Sequence, residues 1–305
     1  MDGWTARPSF ASLPRDVVGR IEERLGARVS VHRDATGGMS PTVAAVLQLA
    51  DGRSVFVKVL RRGINAGSET LLEREWSALA ILPDTVPHAR PIATGDLGGW
   101  LLTAVEAVDG TTVPTPWSEA DLRRVLAAAE RVGAHRAPDG LPTTVEVGPR
   151  LDGWQVLADD PARCEAVGVE PGGVVQPALF VGDWRSLLVG DALVHADARA
   201  DNILIGRDGG GVVVDWSFAS RGPAYLDPVQ ISLDALVDGS PAACRLAVDT
   251  IRKGGGPSRR YAVALVGMLT RNSTNPPHPG LPTFRAWQRR RAKRLWPVVQ
   301  ALMSD

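Results

Sequence analysis

Apolar positions along this chain change from helical to strand spacing and back in a definite order. From Leu13 to Leu25 the residues Val17, Val18, Ile21 and Leu25 recur at a helical period, which predicts a short amphipathic helix. A strand region follows. Thr42 to Leu49 alternates small or apolar with polar residues, Asp51-Gly52 supplies a two-residue turn, and Arg53 to Leu60 alternates again through Val55, Val57 and Val59, the pattern of a β-hairpin. Glu69 to Leu82 carries Leu71, Leu72, Ala78, Leu79 and Leu82 among charged residues, a helix that stops at Pro83. Trp100 to Val105 reads as another strand.

After Asp109-Gly110 the passage TTVPTPW contains prolines that remove backbone donors and so break helix and sheet, which puts a boundary between an amino-terminal part, 1–108, and a carboxy-terminal part, 109–305. Ser118 with Asp121 three residues later opens a helix in a capping-box arrangement, and Leu122, Val125, Leu126, Ala129 and Val132 form its buried face. Most of the remainder has helical spacing. The exception is Leu193 to Trp216, where LVH, ILIG and GVVVDW form short apolar runs with Asp208 to Gly211 turning between the last two. The expected fold class is therefore α+β, a small β-rich part followed by a larger helical part with one embedded hairpin.

Length and composition narrow this picture. The 305 residues suffice for two lobes sharing a cleft, and 44% hydrophobic and 22% charged content with zero formal net charge describes an ordinary folded chain. That balance gives no argument for a nucleic-acid or membrane partner. No stretch approaches the ~20 apolar residues of a membrane span, and MDGWTARPSF lacks the design of a secretory signal, so a cytoplasmic location is expected. Cys164 and Cys244 lie far apart without metal-ligand spacing and read as buried thiols. Trp76, Trp154, Trp184 and Trp296 occupy periodic apolar contexts and read as core. The basic run Arg285 to Arg294 reads as a solvated helix face, with Trp287, Leu295 and Val298 turned inward. Lysine is confined to Lys58, Lys253 and Lys293, which makes the position of Lys58 in VFVKVL informative.

The segment with the most chemistry is His195-Ala196-Asp197-Ala198-Arg199-Ala200-Asp201-Asn202, followed by Asp215-Trp216-Ser217 at the end of an apolar strand. Phosphoryl transfer needs a carboxylate to orient and deprotonate the attacking hydroxyl, and hard oxygen ligands for a Mg²⁺ that bridges nucleotide phosphates. Asp197 suits the first role. Asn202 and Asp215 suit the second, since a hairpin between them folds both back to one edge. Arg199 can neutralise charge on the transferring group. Taken singly, Asp197 and Asn202 also fit ordinary loop capping; their spacing together with Asp215 favours the chemical reading. Asp201 reads as solvent-facing.

These residues resemble the eukaryotic-like kinase superfamily, whose loop reads H-R-D-L-K-P-E-N and whose metal acid opens D-F-G. More closely, the chain is similar to the aminoglycoside phosphotransferase family, with H-G-D-x-x-x-x-N and an acid followed by an aromatic. The resemblance implies a bilobal protein-kinase-like fold. It implies that Lys58 contacts phosphate and pairs with a helical glutamate, for which Glu75 in LLEREWSAL is the matching position, with Glu69 and Glu73 as competitors. In LLTAVEAVDG it implies a hinge where the Val105 carbonyl and the Ala107 amide contact adenine. His195 would support the loop. Asp227 before Pro228 reads first as a helix N-cap, and its matching place in the family supports the same loop.

The phosphate-covering loop departs from G-x-G-x-x-G, reading Thr36-Gly37-Gly38-Met39-Ser40-Pro41-Thr42, with Gly37, Gly38 and Ser40 as its contact candidates. Ala196, Ala200 and Ser217 also depart from common patterns without removing a catalytic group. The similarity runs from about Gly37 to Asp227 and, by pattern, into GLPTFRAWQ. It implies a phosphotransferase using Mg²⁺ and ATP, or GTP, on a hydroxyl of a small-molecule acceptor such as an aminoglycoside antibiotic, acting as a monomer or homodimer. Asp159, Asp160, Glu165 and Glu170 can supply a local acidic acceptor surface. The competing expectations are a metabolic kinase of the same fold acting on choline, a sugar or homoserine, and a pseudokinase without turnover.

Overall fold

In the computed structural model, which describes residues 7–35, 41–277 and 283–304, the strand-forming and helix-forming runs separate into a small lobe and a larger one. The small lobe holds α1 (Arg15–Leu25), β1 (Val29–Asp34), β2 (Val43–Leu49), β3 (Ser54–Arg61), α2 (Ala66–Leu79), β4 (Pro91–Asp96) and β5 (Trp100–Glu106). Its antiparallel sheet has the order β1-β2-β3-β5-β4. The β2–β3 hairpin forms in the expected register, Ala44 opposite Lys58, with Gly52 at φ 89° in the turn where a side chain would be strained. Val55, Val57 and Val59 point into a core shared with α1 through Val17, Ile21 and Leu25. Strand alternation therefore sends Lys58 to the opposite face, the one covered by α2.

Helix α2 starts earlier than its apolar spacing suggests because the Asn65 side chain caps it by accepting from the Ser68 amide, 2.8 Å. It also ends before Leu82, ahead of Pro83. The edge strands β1 and β4 have no clear alternation in sequence, and their burial explains why: β1 is mostly exposed, β4 is half-buried along its middle, and neither contributes a fully buried side chain.

The chain then forms β6 (Gly110–Thr112), α3 (Glu119–Gly133), α4 (Thr144–Val147), α5 (Gly153–Asp159), α6 (Pro161–Val167) and α7 (Val175–Val181). Next come β7 (Ala192–Val194), β8 (Ile203–Gly206), β9 (Gly211–Val213), β10 (Ser220–Gly222), α8 (Leu226–Asp238), α9 (Pro241–Lys253), α10 (Gly255–Asn272) and α11 (Phe284–Ser304). The capping box at Ser118 and Asp121 is present. Ahead of its prolines the TTVPTPW passage is not a break: β6 pairs with β8 beside the β8–β9 hairpin.

One apolar cluster runs from Ala78, Leu79 and Val105 through Trp117, Leu122 and Val125 to Ile203, Val213 and Trp216. It joins the end of α2 and the end of β5 to α3 and the β8–β9 hairpin, so the lobes meet through packed side chains beside the cleft. A second cluster, around Trp154, Leu233, Tyr261 and Leu295, forms the interior of the helical lobe. Among the described residues, no helix is long and apolar enough to cross a membrane.

Candidate active site

The Lys58 ammonium projects from the middle of the small-lobe sheet, where it meets carboxylates from two other elements. Its Nζ lies 2.9 and 3.0 Å from the Glu75 carboxylate oxygens on α2 and 2.9 Å from Asp215 Oδ1. Glu75 sits on the buried face of its helix and is 3% exposed, while Glu69 and Glu73 pair with Arg62 outside. Helical phase thus selects Glu75 among the three acids. Burial opposes charge on Lys58, yet Asp215 and Glu75 outweigh it and hold the ammonium well above the ordinary lysine value. Burial also pushes the Asp215 carboxyl up, but Lys58 and the Ser217 hydroxyl, which donates at 2.8 Å, more than reverse this and keep it strongly ionised. For Glu75 burial dominates, and its carboxyl lies above the ordinary value despite Lys58.

The His195–Asn202 loop faces this cluster. Asn202, 5% exposed, donates both amide hydrogens to Asp197, one to the backbone carbonyl at 2.9 Å and one to Oδ2 at 3.1 Å. Its own Oδ1 remains an acceptor. The Arg199 guanidinium lies between Asp197 Oδ1, at 3.5 Å, and Asp201 Oδ2, at 3.1 Å. Asp201 is exposed as expected, but it also anchors Arg199. Burial lifts the Asp197 carboxyl above the ordinary aspartate value, with Arg199 and His195 pulling the other way. His195 is buried, bonds Val214 O through Nε2 at 3.0 Å, and stands edge-on to Trp216. That is a supporting geometry.

Among the described residues, two that are not glycine adopt left-handed backbone, Ala196 at φ 61° and Asp215 at φ 67°. Such a conformation persists only where its surroundings enforce it. At Ala196 the enforcement comes from Asp227, whose buried carboxylate accepts the His195 amide at 2.7 Å and the Ala196 amide at 2.9 Å. The N-cap reading of Asp227 is thereby corrected: it lies inside the first turn of α8, Tyr225 holds the cap position, and the carboxylate serves the loop instead of its own helix. Gln230 and Asp234, which sequence reasoning missed, continue the same support. Gln230 accepts from the Ala198 amide at 2.8 Å, and Asp234 accepts from the Ala200 amide at 3.1 Å.

A second correction concerns α11. Arg291 is not solvated: it is largely buried, pairs with Asp234, and lies over the Trp287 ring. Arg289 is half-buried and bonds the Ser273 carbonyl, whereas Arg290, Lys293 and Arg294 are exposed as expected, Arg294 with a bond to the Val237 carbonyl. At the hinge, Val105 is buried at the end of β5, and the Ala107 amide donates to Ser54 O at 3.1 Å, so an adenine contact there has to exchange that bond. Gly37, Gly38 and Ser40 lie outside the described residues. Cys164 is buried and Cys244 half-buried, both unpaired, with burial pushing each thiol up. Asp159, Glu165 and Glu170 are exposed along the α5–α7 segment, where α5 packs on α10.

The donor set suits a metal that arrives with phosphates better than a resident ion. Among the described residues no three His, Cys, Asp or Glu side chains cluster as a metal site. Asn202 Oδ1 and Asp215 instead offer a pair of oxygen ligands beside an ammonium, which is the incomplete set that a Mg²⁺ carrying phosphate and water ligands requires. Such a site can bind and orient a polyphosphate and present Asp197 to an incoming hydroxyl.

No curated protein matches the sequence. Among solved structures, the chain is similar to a ternary complex of a thermostable mutant of aminoglycoside phosphotransferase APH(4)-Ia with ADP and hygromycin B, at 17% identity and TM-score 0.61, covering 94% of this chain and 98% of that one. It is also similar to choline kinase LicA from Streptococcus pneumoniae, at 14% identity, TM-score 0.59 and coverage of 93% and 98%. A third is macrolide 2'-phosphotransferase MphH from Brachybacterium faecium, at 16% identity, TM-score 0.56 and coverage of 92% and 97%. At these identities the likeness is one of fold. Family membership rests on the sequence match itself, which spans residues 31–263, well over half of the chain: the protein belongs to the phosphotransferase enzyme family and is a small-molecule phosphotransferase acting on hydroxyl groups.

Proposed function

We propose that this phosphotransferase moves the γ-phosphate of ATP or GTP to a hydroxyl of an aminoglycoside or related antibiotic, inactivating it. The observation that carries the nucleotide half is the Lys58 ammonium held within 3.0 Å of both Glu75 and Asp215, with Asn202 bonded to Asp197 alongside. In this reading Lys58, fixed by Glu75, binds phosphate oxygens. Val105 and Ala107 contact the base, and Gly37, Gly38 and Ser40 belong to the loop over the phosphates. Asn202 and Asp215 hold Mg²⁺, which when bound neutralises charge on the terminal phosphates.

Asp197 orients the acceptor hydroxyl and takes its proton, which its raised carboxyl pKa favours. Arg199 faces the transferred group and stabilises its negative charge. The chain works in the cytoplasm as a monomer or homodimer.

A second reading of the acceptor has an observation in its favour. Acids of the large lobe are already paired, Asp234 and Asp238 on α8 with Arg291 and Arg294, and Asp152 ahead of α5 with Arg150 and Arg271. A charge-compensated surface suits a weakly charged alcohol such as a sugar or homoserine better than a polycation. Labelled ATP offered with aminoglycosides, macrolides, choline, sugars and homoserine separates the readings, together with antibiotic tolerance of a host expressing the chain. Transfer to a metabolic alcohol without transfer to any antibiotic, and unchanged tolerance, would overturn the first.

A further inference from the structure

One side chain of α8 bonds both neighbours of Asp197. Gln230 Oε1 accepts from the Ala198 amide at 2.8 Å, and Gln230 Nε2 donates to the Ala196 carbonyl at 3.1 Å. The remaining amide hydrogen goes to the Tyr261 hydroxyl at 2.9 Å. A backbone N–H only donates and a carbonyl only accepts, so these partners fix which end of the carboxamide faces which residue. Tyr261 is buried on α10 and stands edge-on to Tyr225, which ties the amide to the interior of the helical lobe.

The Ala196 carbonyl belongs to the peptide plane before the Asp197 Cα, and the Ala198 amide to the plane after it. Tying both planes to one carboxamide restrains both backbone dihedrals of Asp197. Asn202 then bonds the Asp197 carbonyl and its Oδ2, so the direction of the carboxylate follows from the backbone beneath it. The restraint falls where it is needed, since Ala196 holds a left-handed conformation that persists only when its surroundings enforce it. Asp227 and Asp234, on either side of Gln230 along the helix, only accept from loop amides. A third carboxylate at position 230 would leave the Ala196 carbonyl without this donor and add negative charge beside Asp197.

We propose that Gln230 is a positioning residue for phosphoryl transfer: by bonding the peptide groups on both sides of Asp197, and itself held by Tyr261, it aims the carboxylate at the acceptor hydroxyl. It acts on turnover through Asp197 and leaves nucleotide binding at Lys58, Asn202 and Asp215 alone. This inference rests on the reading of Asp197 as the base.

The test uses Gln230→Leu, Tyr261→Phe and Asp197→Ala singly, and Gln230→Leu combined with Asp197→Ala. Transfer is followed from labelled Mg-ATP to the compound of the acceptor panel that the native chain turns over, or to water where it turns over none. ATP affinity is measured by calorimetry, and hydrogen exchange of the 195–202 segment by mass spectrometry. Misplacing a reacting group by about 1 Å costs roughly a hundredfold, so Gln230→Leu should lose about that factor in kcat while the ATP dissociation constant stays within about twofold. Its loop should exchange faster. Tyr261→Phe spares both bonds to the loop and should lose far less in kcat. In the Asp197→Ala chain, Gln230→Leu should cost nothing further in residual turnover, because its target is gone. Gln230→Glu keeps the shape and the acceptor for Ala198 but not the donor for Ala196; it should show the same split between kcat and ATP affinity, and it serves if Gln230→Leu does not fold.

A native kcat or unchanged loop exchange in the position 230 variants overturns the assignment. So does an equal loss of ATP affinity, or the same factor lost again on top of Asp197→Ala, either of which would mean that Gln230 only supports the lobe as a whole. Turnover retained in Asp197→Ala, or absent from the native chain, removes the base reading itself, whereas an inactive Asp197→Ala beside an active Gln230→Leu removes only the glutamine.

Discussion

Replacing Arg199 by glutamine tests the electrostatics of the site through the pH dependence of turnover. Burial raises the Asp197 carboxyl and Arg199 opposes that rise, so the acid limb of kcat/KM, governed by ionisation of the base, lies above the ordinary aspartate value and moves further up when Arg199 is lost. At the 3.5 Å separation of Arg199 Nε and Asp197 Oδ1, attraction between unit charges is about 1 kcal/mol in bulk water and about 5 kcal/mol at an effective dielectric constant near 20. Asp197 lies at the rim of the cleft with its side chain 32% exposed, which argues for the lower part of that range. The expected displacement is therefore about one to two pH units, at about 1.4 kcal/mol per unit.

The direction is reinforced by Asp201, which loses its partner and adds repulsion to the ionised form. The sign is fixed: a base with a raised pKa stays protonated to higher pH, so activity on the acid side falls in the variant. The assay is kcat/KM for the acceptor at saturating Mg-ATP, from acid through neutral pH. The position of the limb is the readout, because Arg199 also lowers the rate itself. A limb that stays in place or moves to lower pH would refute the assignment of Asp197 as the base or of Arg199 as its neighbour in charge.

Asp197→Ala should lose at least ~10³ in kcat while the dissociation constant for ATP, measured by calorimetry, changes little, since general-base catalysis and positioning are removed together; retained turnover counts against its role. Lys58→Met leaves Glu75 and Asp215 without their shared cation and should lower stability by about 3–5 kcal/mol. Glu75→Gln in the same chain should restore much of that loss in chemical denaturation, and strictly additive losses would argue that the pair is not coupled. Asp215→Asn should weaken binding of Mg-ATP far more than binding of adenosine, and activity should vanish in chelator and return with Mg²⁺; turnover persisting in chelator contradicts the metal assignment.

What could be read from sequence divides along the range of the interactions concerned. The β2–β3 hairpin is legible because alternation and the Asp51-Gly52 turn are local, and the placement of Lys58 follows from that alternation. The edge strands β1 and β4 are not, since an edge strand that buries none of its side chains fully needs no apolar alternation. Among Glu69, Glu73 and Glu75, only the phase of α2 against the sheet decides which acid meets Lys58. Arg291 looks like one member of a solvated basic run because its partner, Asp234, is distant in sequence.

The loop sequence HADARAD acquires a physical reading from α8. Asp227, Gln230 and Asp234 fall on one face of that helix at intervals of three and four residues, and they accept the amides of His195, Ala196, Ala198 and Ala200. A helix face with a period near 3.5 residues is thus matched to a loop whose anchored amides at 196, 198 and 200 recur at every second residue. The intervening positions, 197, 199 and 201, carry the charged groups. Alanine stands at 196, 198 and 200, where α8 supports the backbone from beneath; Ala198 is only 1% exposed, which leaves little room for a larger side chain. Substituting small residues at 196 and 200 for those common in the family therefore preserves the geometry, because the loop is held by its backbone, and the chemistry resides in the alternate positions that the support leaves free.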